Sequence, residues 1–262
     1  MSWDRVLGRV SFINCEPIFH SLDSKWRVLS APPSWLTGHL LRNDCITAPI
    51  PTADYSSFSD DLNLIREIGI VGRERVGSVI LFGRRDLESM RDIALPSDSS
   101  TSSMLLKWLL NQRGLDPKFI EMGPDISSML ESCDGALIIG DRAITSSIEY
   151  PDLVRMDLGS EWNRITELPM VFGVFASRKD SPPDRVDQAR SVMLNQYNRF
   201  LSEPEVREKT ISIASSKVGL TEVRISKYYD EEVSNLLDEK SVMGLEAFLE
   251  TVCEQSVDTS WF

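Results

Sequence analysis

The chain has 262 residues, of which 42% are hydrophobic and 26% are charged, as in ordinary globular proteins. Its formal net charge of −12 at pH 7 argues against a nucleic-acid partner, because binding to phosphates needs a basic surface. No stretch has the roughly 18 uninterrupted apolar residues of a membrane-spanning helix, so no membrane partner is expected. An acidic protein can still bind a carboxylate in a cleft lined by backbone N–H groups and one or two arginines.

The N-terminal segment MSWDRVLGRVSFIN does not have the pattern of a signal peptide. Charged residues interrupt it, and neither an apolar core nor a small-residue cleavage site follows. We therefore expect the protein to be cytoplasmic.

The cysteines and histidines give no pattern typical of a metal site. The two histidines, His20 and His39, lie in no metal-binding motif. The four cysteines form no CxxC pair, which argues against a zinc site or a disulfide framework. They are Cys15, Cys45, Cys133 and Cys253. We expect neither a metal nor a cofactor.

Hydrophobic periodicity predicts strands that alternate with helices along most of the chain. In chain order the predicted elements are a strand at 9–13, a helix at 33–41, strands at 46–50, 62–70, 77–82 and 93–95, a helix at 104–112, strands at 135–139 and 170–176, and helices at 185–201, 205–215, 221–237 and 243–253. Such alternation is typical of α/β proteins with mostly parallel sheets covered on both faces.

Two of these strands, 77–82 and 170–176, are strongly apolar and run directly into basic residues. We interpret them as the points at which the chain crosses from one lobe to another and back. The prediction is a two-lobed α/β fold like that of type II periplasmic binding proteins, with an interlobe ligand cleft. Lobe one would comprise residues 1–82 and 177–262, and lobe two residues 83–176.

Three short polar segments are candidate sites, each with a plain structural alternative. The segment Ser97–Ser103 (SDSSTSS) precedes a helix, where it could cap the helix or form a cradle for an anion. Gly140 and Asp141 follow a buried strand, where a ligand contact and a simple turn are both plausible. Asn14 follows the first strand, where an Asx turn is the default.

The order and spacing of several motifs resemble the chorismate dehydratase family of the futalosine route to menaquinone. The opening GRVSFINCEPIF is similar to the family's strand followed by SYLNxxPL, with Asn14 at the asparagine. RVGSVILFGRR resembles its first crossing strand, with Ser78 at the serine. SSTSSMLLKWLL matches its S-x-TS-x-x-LL helix start, with Thr101 and Ser102 at the TS pair.

Two further motifs extend the resemblance over nearly the whole chain. ALIIGDRAI is similar to the family's IGDAAL strand end, and DLGSEWNRITELPMVFGVFA to its DLG-x-EW…T-x-LPFVFA segment. The tail YYDEEVSN…GLEAFLE resembles its closing helices. The sequence departs from the family at Cys15, where a threonine is usual, and at Arg142, where a small residue is usual. Both departures are expected near the cleft.

The resemblance implies a hydro-lyase that converts chorismate, a small dicarboxylate, to 3-[(1-carboxyvinyl)oxy]benzoate and water without a cofactor. It assigns catalysis to Asn14, Ser78 and Asp141. Substrate binding is assigned to Ser100, Thr101, Ser102 and Gly140.

The group that accepts the proton is left open among Asp141, Glu16 and the substrate's own enolpyruvyl carboxylate, which we favour because it lies within reach of the proton. Asn14 is itself a poor base, since a carboxamide accepts protons weakly at neutral pH. Two alternative functions are an enzyme like the dihydroxynaphthoate synthase of the same pathway and a non-catalytic solute-binding protein.

Overall fold

Two β-sheets organise the chain, with strands numbered in chain order. The structure is a computed structural model that describes residues 2–255 and 259–262. The first sheet has four antiparallel strands, in the spatial order β11 (Val233–Leu237), β4 (Leu62–Gly72), β10 (Met170–Arg178) and β3 (Ala48–Pro51). The second has five strands, in the order β7 (Lys118–Met122), β6 (Asp92–Pro96), β8 (Gly135–Ile139), β5 (Val79–Gly83) and β9 (Val154–Asp157).

A parallel pair of strands extends the four-stranded sheet. The pair is β1 (Val6–Val10) with β2 (Arg27–Ala31). A parallel bridge from Leu7 to Thr47 joins β1 to the segment that leads into β3. The loop that follows β1 therefore lies at the end of the four-stranded sheet, where it contributes to the site described below.

Eleven α-helices are found within the described residues. They are α1 (Glu16–Phe19), α2 (Pro33–Leu41), α3 (Thr52–Phe58), α4 (Ser100–Asn111), α5 (Ile126–Ser132), α6 (Asp141–Glu149), α7 (Leu158–Thr166), α8 (Pro183–Ser202), α9 (Pro204–Val218), α10 (Glu222–Lys227) and α11 (Glu239–Thr251). A π-helical turn, Tyr228–Glu232, follows α10 directly.

The predicted mostly parallel sheets were wrong for the strands next to the crossings. β4 and β10 pair antiparallel, and β5 runs antiparallel to both of its neighbours. The physical reason is the path of the chain, which leaves the four-stranded sheet along β4 and returns to it along β10. Two such strands lying side by side must run in opposite directions.

Sheet membership also bears on the expected crossing strands. β5 was expected in lobe one but pairs within the five-stranded sheet, and β10 was expected mostly in lobe two but pairs within the four-stranded sheet. The chain passes between the sheets at residues 73–78 and again at 158–169. The lobe bounds 1–82 with 177–262, and 83–176, stay a prediction.

Two predicted helices differ from the structure near the site. The helix expected over 221–237 ends at Lys227, and its last five residues form β11, which pairs with β4. Pairing with the open edge of β4 overrides the local helical pattern. Helix α4 begins at Ser100 rather than after Ser103, because the hydroxyl residues form its first turn instead of preceding it.

Candidate active site

A cleft lined by residues of both sheets contains about 580 Å³ of empty space, part of it open to solvent. Its lining is mainly apolar with a few polar groups. The lining residues are Val10, Phe12, Asn14, Pro33, Pro49, Ile50, Pro51, Ile70, Val76, Ser78, Val79, Ser99, Thr101, Ser102, Ile139, Gly140, Phe172, Gly173 and Val233.

Asn14 is the polar side chain in this lining that most clearly lacks a partner. It lies in the short 3₁₀ turn Ile13–Cys15, and its side chain is only 8% exposed. Among the described residues, nothing within hydrogen-bond distance satisfies its buried Oδ1 atom. An unpaired buried acceptor costs about 1–3 kcal/mol, and a ligand that donates a hydrogen bond to Oδ1 would remove this cost.

The backbone that carries Asn14 is fixed from two sides. The N–H of Ile13 donates to Oδ1 of Asp141 over 2.9 Å, and the hydroxyl of Tyr229 donates to the Ile13 carbonyl over 2.9 Å. Asp141 opens α6, which follows a strand of the five-stranded sheet, whereas Tyr229 follows α10. The position of Asn14 is therefore determined by two distant parts of the chain.

Ser78 lines the cleft at the end of the first passage between the sheets. Its hydroxyl accepts a hydrogen bond from the hydroxyl of Tyr228 over 3.1 Å, and its carbonyl accepts the Gly140 N–H over 2.7 Å. Ser78 and Tyr228 are both buried. Burial raises the pKa of Tyr228 well above the usual value, so the phenol stays protonated as a donor.

The start of α4 forms a wall of the cleft through Ser99, Thr101 and Ser102. Ser99 is the N-cap, and its side chain makes no capping hydrogen bond to the first N–H groups of the helix. Those N–H groups and the positive end of the helix dipole favour an anion. The Thr101 hydroxyl accepts the N–H of Ala53 over 3.0 Å, which leaves its own proton to donate.

Ser100, predicted to bind substrate, does not line the cleft. Its hydroxyl instead donates over 2.5 Å to Oδ1 of Asp54, whose other oxygen accepts the hydroxyl of Thr37 over 2.6 Å. Successive helical residues point about 100° apart, so Ser100 and its neighbours Thr101 and Ser102 cannot all face one side. The Ser100 hydroxyl therefore joins α4 to α3, and its role in substrate binding stays a prediction.

Gly140 lies in the lining with a backbone conformation that other residues rarely adopt. Its φ is 63° and its ψ is −146°, and a Cβ atom built there would lie 2.6 Å from the Phe12 ring. The Phe12 ring is itself part of the lining. Glycine at this position therefore allows strand β8 to turn into α6 while the aromatic ring packs against the backbone.

Asp141, predicted to be catalytic, is not among the lining residues. Burial raises its pKa above the usual value, while the bond from Ile13 partly opposes that shift. Glu16, the other candidate base, is buried and paired with Arg9, and Lys217 lies 3.5 Å from its Oε1 atom. Both carboxylates are thus engaged by groups of the protein.

The two departures from the family motifs lie behind the lining. Cys15 is completely buried, and burial raises the pKa of its thiol to about 12. Arg142 pairs with Asp98 over 2.6 Å, and its guanidinium lies 5.5 Å from the centre of the Phe12 ring. Arg142 therefore reaches the cleft only through Phe12.

The side chains that line the cleft are neutral. Within the described part of the chain, no charged side chain lines the cleft. No group of three or more His, Cys, Asp or Glu side chains in residues 2–255 and 259–262 could hold a metal ion. The arrangement suits an anionic organic molecule bound by hydroxyls, an amide and helix N–H groups inside an apolar cavity.

The structure brings together five of the seven predicted site residues, and it adds residues that sequence reasoning missed. The five are Asn14, Ser78, Thr101, Ser102 and Gly140. The missed residues include Tyr228 and Tyr229, because YYDEE reads as part of a helix. No local signal marks the π-helical turn that buries both adjacent rings.

Comparison with known proteins identifies the family of this chain. A model of a family described as menaquinone biosynthesis matches residues 6–254. The chain belongs to this family. A relative is the chorismate dehydratase of Thermus thermophilus, 29% identical over 268 residues, with 94% of each chain covered.

Solved structures confirm the predicted two-lobed fold of periplasmic binding proteins. A protein of Archaeoglobus fulgidus superposes with a TM-score of 0.76 at 17% identity, covering 95% of this chain and 96% of its own. The periplasmic aliphatic sulphonate-binding protein of Escherichia coli gives a TM-score of 0.64 at 14% identity, covering 98% and 96%. At these identities the likeness concerns the fold alone. No described helix is long and apolar enough to cross a membrane.

Proposed function

We propose that the protein is a chorismate dehydratase, a hydro-lyase that converts chorismate to 3-[(1-carboxyvinyl)oxy]benzoate and water in the cytoplasm. The observation that carries this proposal is the buried, unpaired Oδ1 atom of Asn14 in a cleft that also contains Ser78, Thr101 and Ser102. These are the residues at the family's motif positions. The similarity to the chorismate dehydratase of Thermus thermophilus extends over nearly the full length of the chain and supports the same activity.

The reaction needs little catalytic machinery. The ring carbon that bears the ether loses its proton, and the electrons delocalise into the conjugated ring carboxylate. The neighbouring hydroxyl then leaves as water and the ring becomes aromatic, which supplies the driving force. The protein must bind two carboxylates, align the breaking bonds and stabilise the charge that develops on the ring carboxylate.

The lining residues match these needs. The N–H groups at the start of α4, with the hydroxyls of Thr101 and Ser102, suit one carboxylate. The hydroxyl of Ser78 suits the oxygen on which charge develops. The unpaired Oδ1 of Asn14 is an acceptor, and the hydroxyl of chorismate that leaves as water is a donor of matching kind.

The engagement of the protein's carboxylates supports a substrate-assisted proton transfer. Asp141 accepts the N–H of Ile13, Glu16 pairs with Arg9, and neither is in the lining. The enolpyruvyl carboxylate of chorismate is attached through the ether to the carbon that loses the proton. In this mechanism it accepts that proton and then gives it to the departing hydroxyl, which leaves as water, while the protein supplies orientation and hydrogen bonds.

The test is to mix the purified protein with chorismate and follow ultraviolet absorbance for an aromatic product. The proposal predicts complete conversion by a catalytic amount of protein in a buffer that contains EDTA. Calorimetry run in parallel separates the alternative of a solute-binding protein, which would bind chorismate and return it unchanged. Binding without conversion would overturn the proposal.

A further inference from the structure

The two adjacent tyrosines of the π-helical turn both point into the protein. Tyr228 is 1% exposed and Tyr229 is 6% exposed. Their ring centres lie 5.6 Å apart. Each hydroxyl donates to a segment that carries a polar side chain of the cleft, since Tyr228 contacts Ser78 and Tyr229 contacts the residue before Asn14. π-Helical turns occur frequently at functional sites.

The hydrogen bond from Tyr228 constrains the direction in which Ser78 can donate. A serine hydroxyl has one proton and two acceptor lone pairs, and its proton rotates to suit its partners. The Tyr228 hydroxyl donates to one lone pair of Ser78 Oγ from the side of the protein interior. The remaining proton of Ser78 is then directed away from Tyr228, toward the cleft that Ser78 lines.

This arrangement strengthens as well as orients the donor. A hydroxyl that accepts a hydrogen bond becomes a better donor, because linked hydrogen bonds polarise one another. Ser78 is only 4% exposed, so bulk water competes little with this effect. Its backbone is also anchored, since its carbonyl accepts the Gly140 N–H.

We propose that Tyr228 is a positioning residue that directs the Ser78 hydroxyl at the carboxylate oxygen on which negative charge develops. This assignment rests on the proposed function, because it needs a reaction in which charge builds up on a bound carboxylate. Tyr228 does not line the cleft, so it acts only through Ser78.

The test is a double-mutant cycle of Tyr228→Phe and Ser78→Ala, with kcat and KM for chorismate measured separately. Removing a direct donor costs on the order of 10²–10³ in kcat, and we expect about 10-fold for Tyr228→Phe because the Ser78 donor remains. KM should change little, since the interaction strengthens mainly in the transition state. In the Ser78→Ala background, Tyr228→Phe should cause no further loss.

Tyr197→Phe is the matched control. Tyr197 is also buried, at 4% exposed, and its hydroxyl accepts the N–H of Asn235; neither residue lines the cleft. This variant should lower the thermal midpoint without lowering kcat, which separates loss of a buried hydrogen bond from loss of positioning.

Two results would overturn the assignment while leaving the proposed function intact. The first is a folded Tyr228→Phe protein with wild-type kcat. The second is an equal fractional loss from Tyr228→Phe in the wild-type and Ser78→Ala backgrounds. A wild-type protein that does not dehydrate chorismate would overturn the proposed function, and this assignment with it.

Discussion

At the residue scale, the proposed reaction depends most directly on Asn14. Its amide is buried and its Oδ1 atom has no partner among the described residues, while Asp141 and Tyr229 hold the backbone of the preceding residue, Ile13. A preorganised group of this kind lowers the cost of aligning the substrate, because the protein has already ordered it during folding.

Replacing Asn14 with alanine should lower kcat by on the order of 10²–10³, because a positioned polar group is lost. Asn14→Asp has nearly the same shape but adds a negative charge to a cleft that, in the proposed function, binds a dianion, so it should not restore activity. Steady-state kinetics with chorismate measure both variants. Wild-type turnover in Asn14→Ala would show that this side chain does not act in the reaction.

Asp141→Asn should retain near-normal turnover, because in the proposed mechanism the substrate carboxylate accepts the proton, and an amide oxygen can still accept the Ile13 N–H. The pKa of Asp141 is higher in the folded state than in the unfolded state, so the folded state binds this proton more tightly. Its stabilising contribution is therefore present at low pH and lost as the pH rises through the folded-state pKa. The uncharged asparagine should accordingly not lower the free energy of unfolding at pH 7.

The pH profile of kcat distinguishes the two assignments of the base. If Asp141 were the base, activity would rise with pH through its raised pKa, and that limb would vanish in Asp141→Asn. We expect the profile to be unchanged in Asp141→Asn and in the parallel variant Glu16→Gln. Loss of an acid limb in either variant, with binding intact, would assign the base to that carboxylate.

At the scale of elements, the site depends on how strands and helices end beside the cleft. Gly140 joins β8 to α6 in a conformation with positive φ, against the ring of Phe12. That region of backbone conformation is populated almost only by glycine. The turn therefore sets the position both of a cleft wall and of the start of α6.

Gly140→Ala should lower the free energy of unfolding by about 2–4 kcal/mol, which combines backbone strain of order 1–3 kcal/mol with displacement of the Phe12 ring. Two control variants separate these effects in denaturant titrations. Gly114 has a φ of 69°, but a Cβ atom built there meets only open space, so Gly114→Ala should show only strain of about 1 kcal/mol. Gly123 has neither a positive φ nor a close neighbour, so Gly123→Ala should leave the free energy of unfolding nearly unchanged. Equal losses at 140 and 114 would contradict the packing argument.

The sequence predicted those parts of the site that have local signals. Asn14 and Gly140 follow strands, and the hydroxyl residues at 101 and 102 open a helix, so composition and periodicity could mark them. The bond from Tyr228 to Ser78 joins residues 150 positions apart, and that from Ile13 to Asp141 joins residues 128 apart. Local patterns carry no information on such pairs, which explains why the bond from Tyr228 to Ser78 was missed.

On the scale of the whole molecule, the two sheets are linked across the cleft. The N–H of Ala53, after β3, donates to Thr101 in α4, and the N–H of Ile13 donates to Asp141 in α6. These bonds join segments that follow strands of different sheets, so both walls of the cleft are placed relative to each other. A bound substrate is then surrounded by mainly apolar surface, in which neutral hydrogen bonds are strengthened by the exclusion of water.

The most direct test of the whole account is proton NMR of chorismate incubated with a catalytic amount of the wild-type chain. We predict that the signals of the protons on the saturated ring carbons disappear and that those of the aromatic protons of a meta-substituted benzoate replace them. Mass spectrometry should show the loss of one water per molecule, and Asn14→Ala should slow the change on the order of 10²–10³. Chorismate that stays unchanged, or that converts equally fast with Asn14→Ala, would contradict the account.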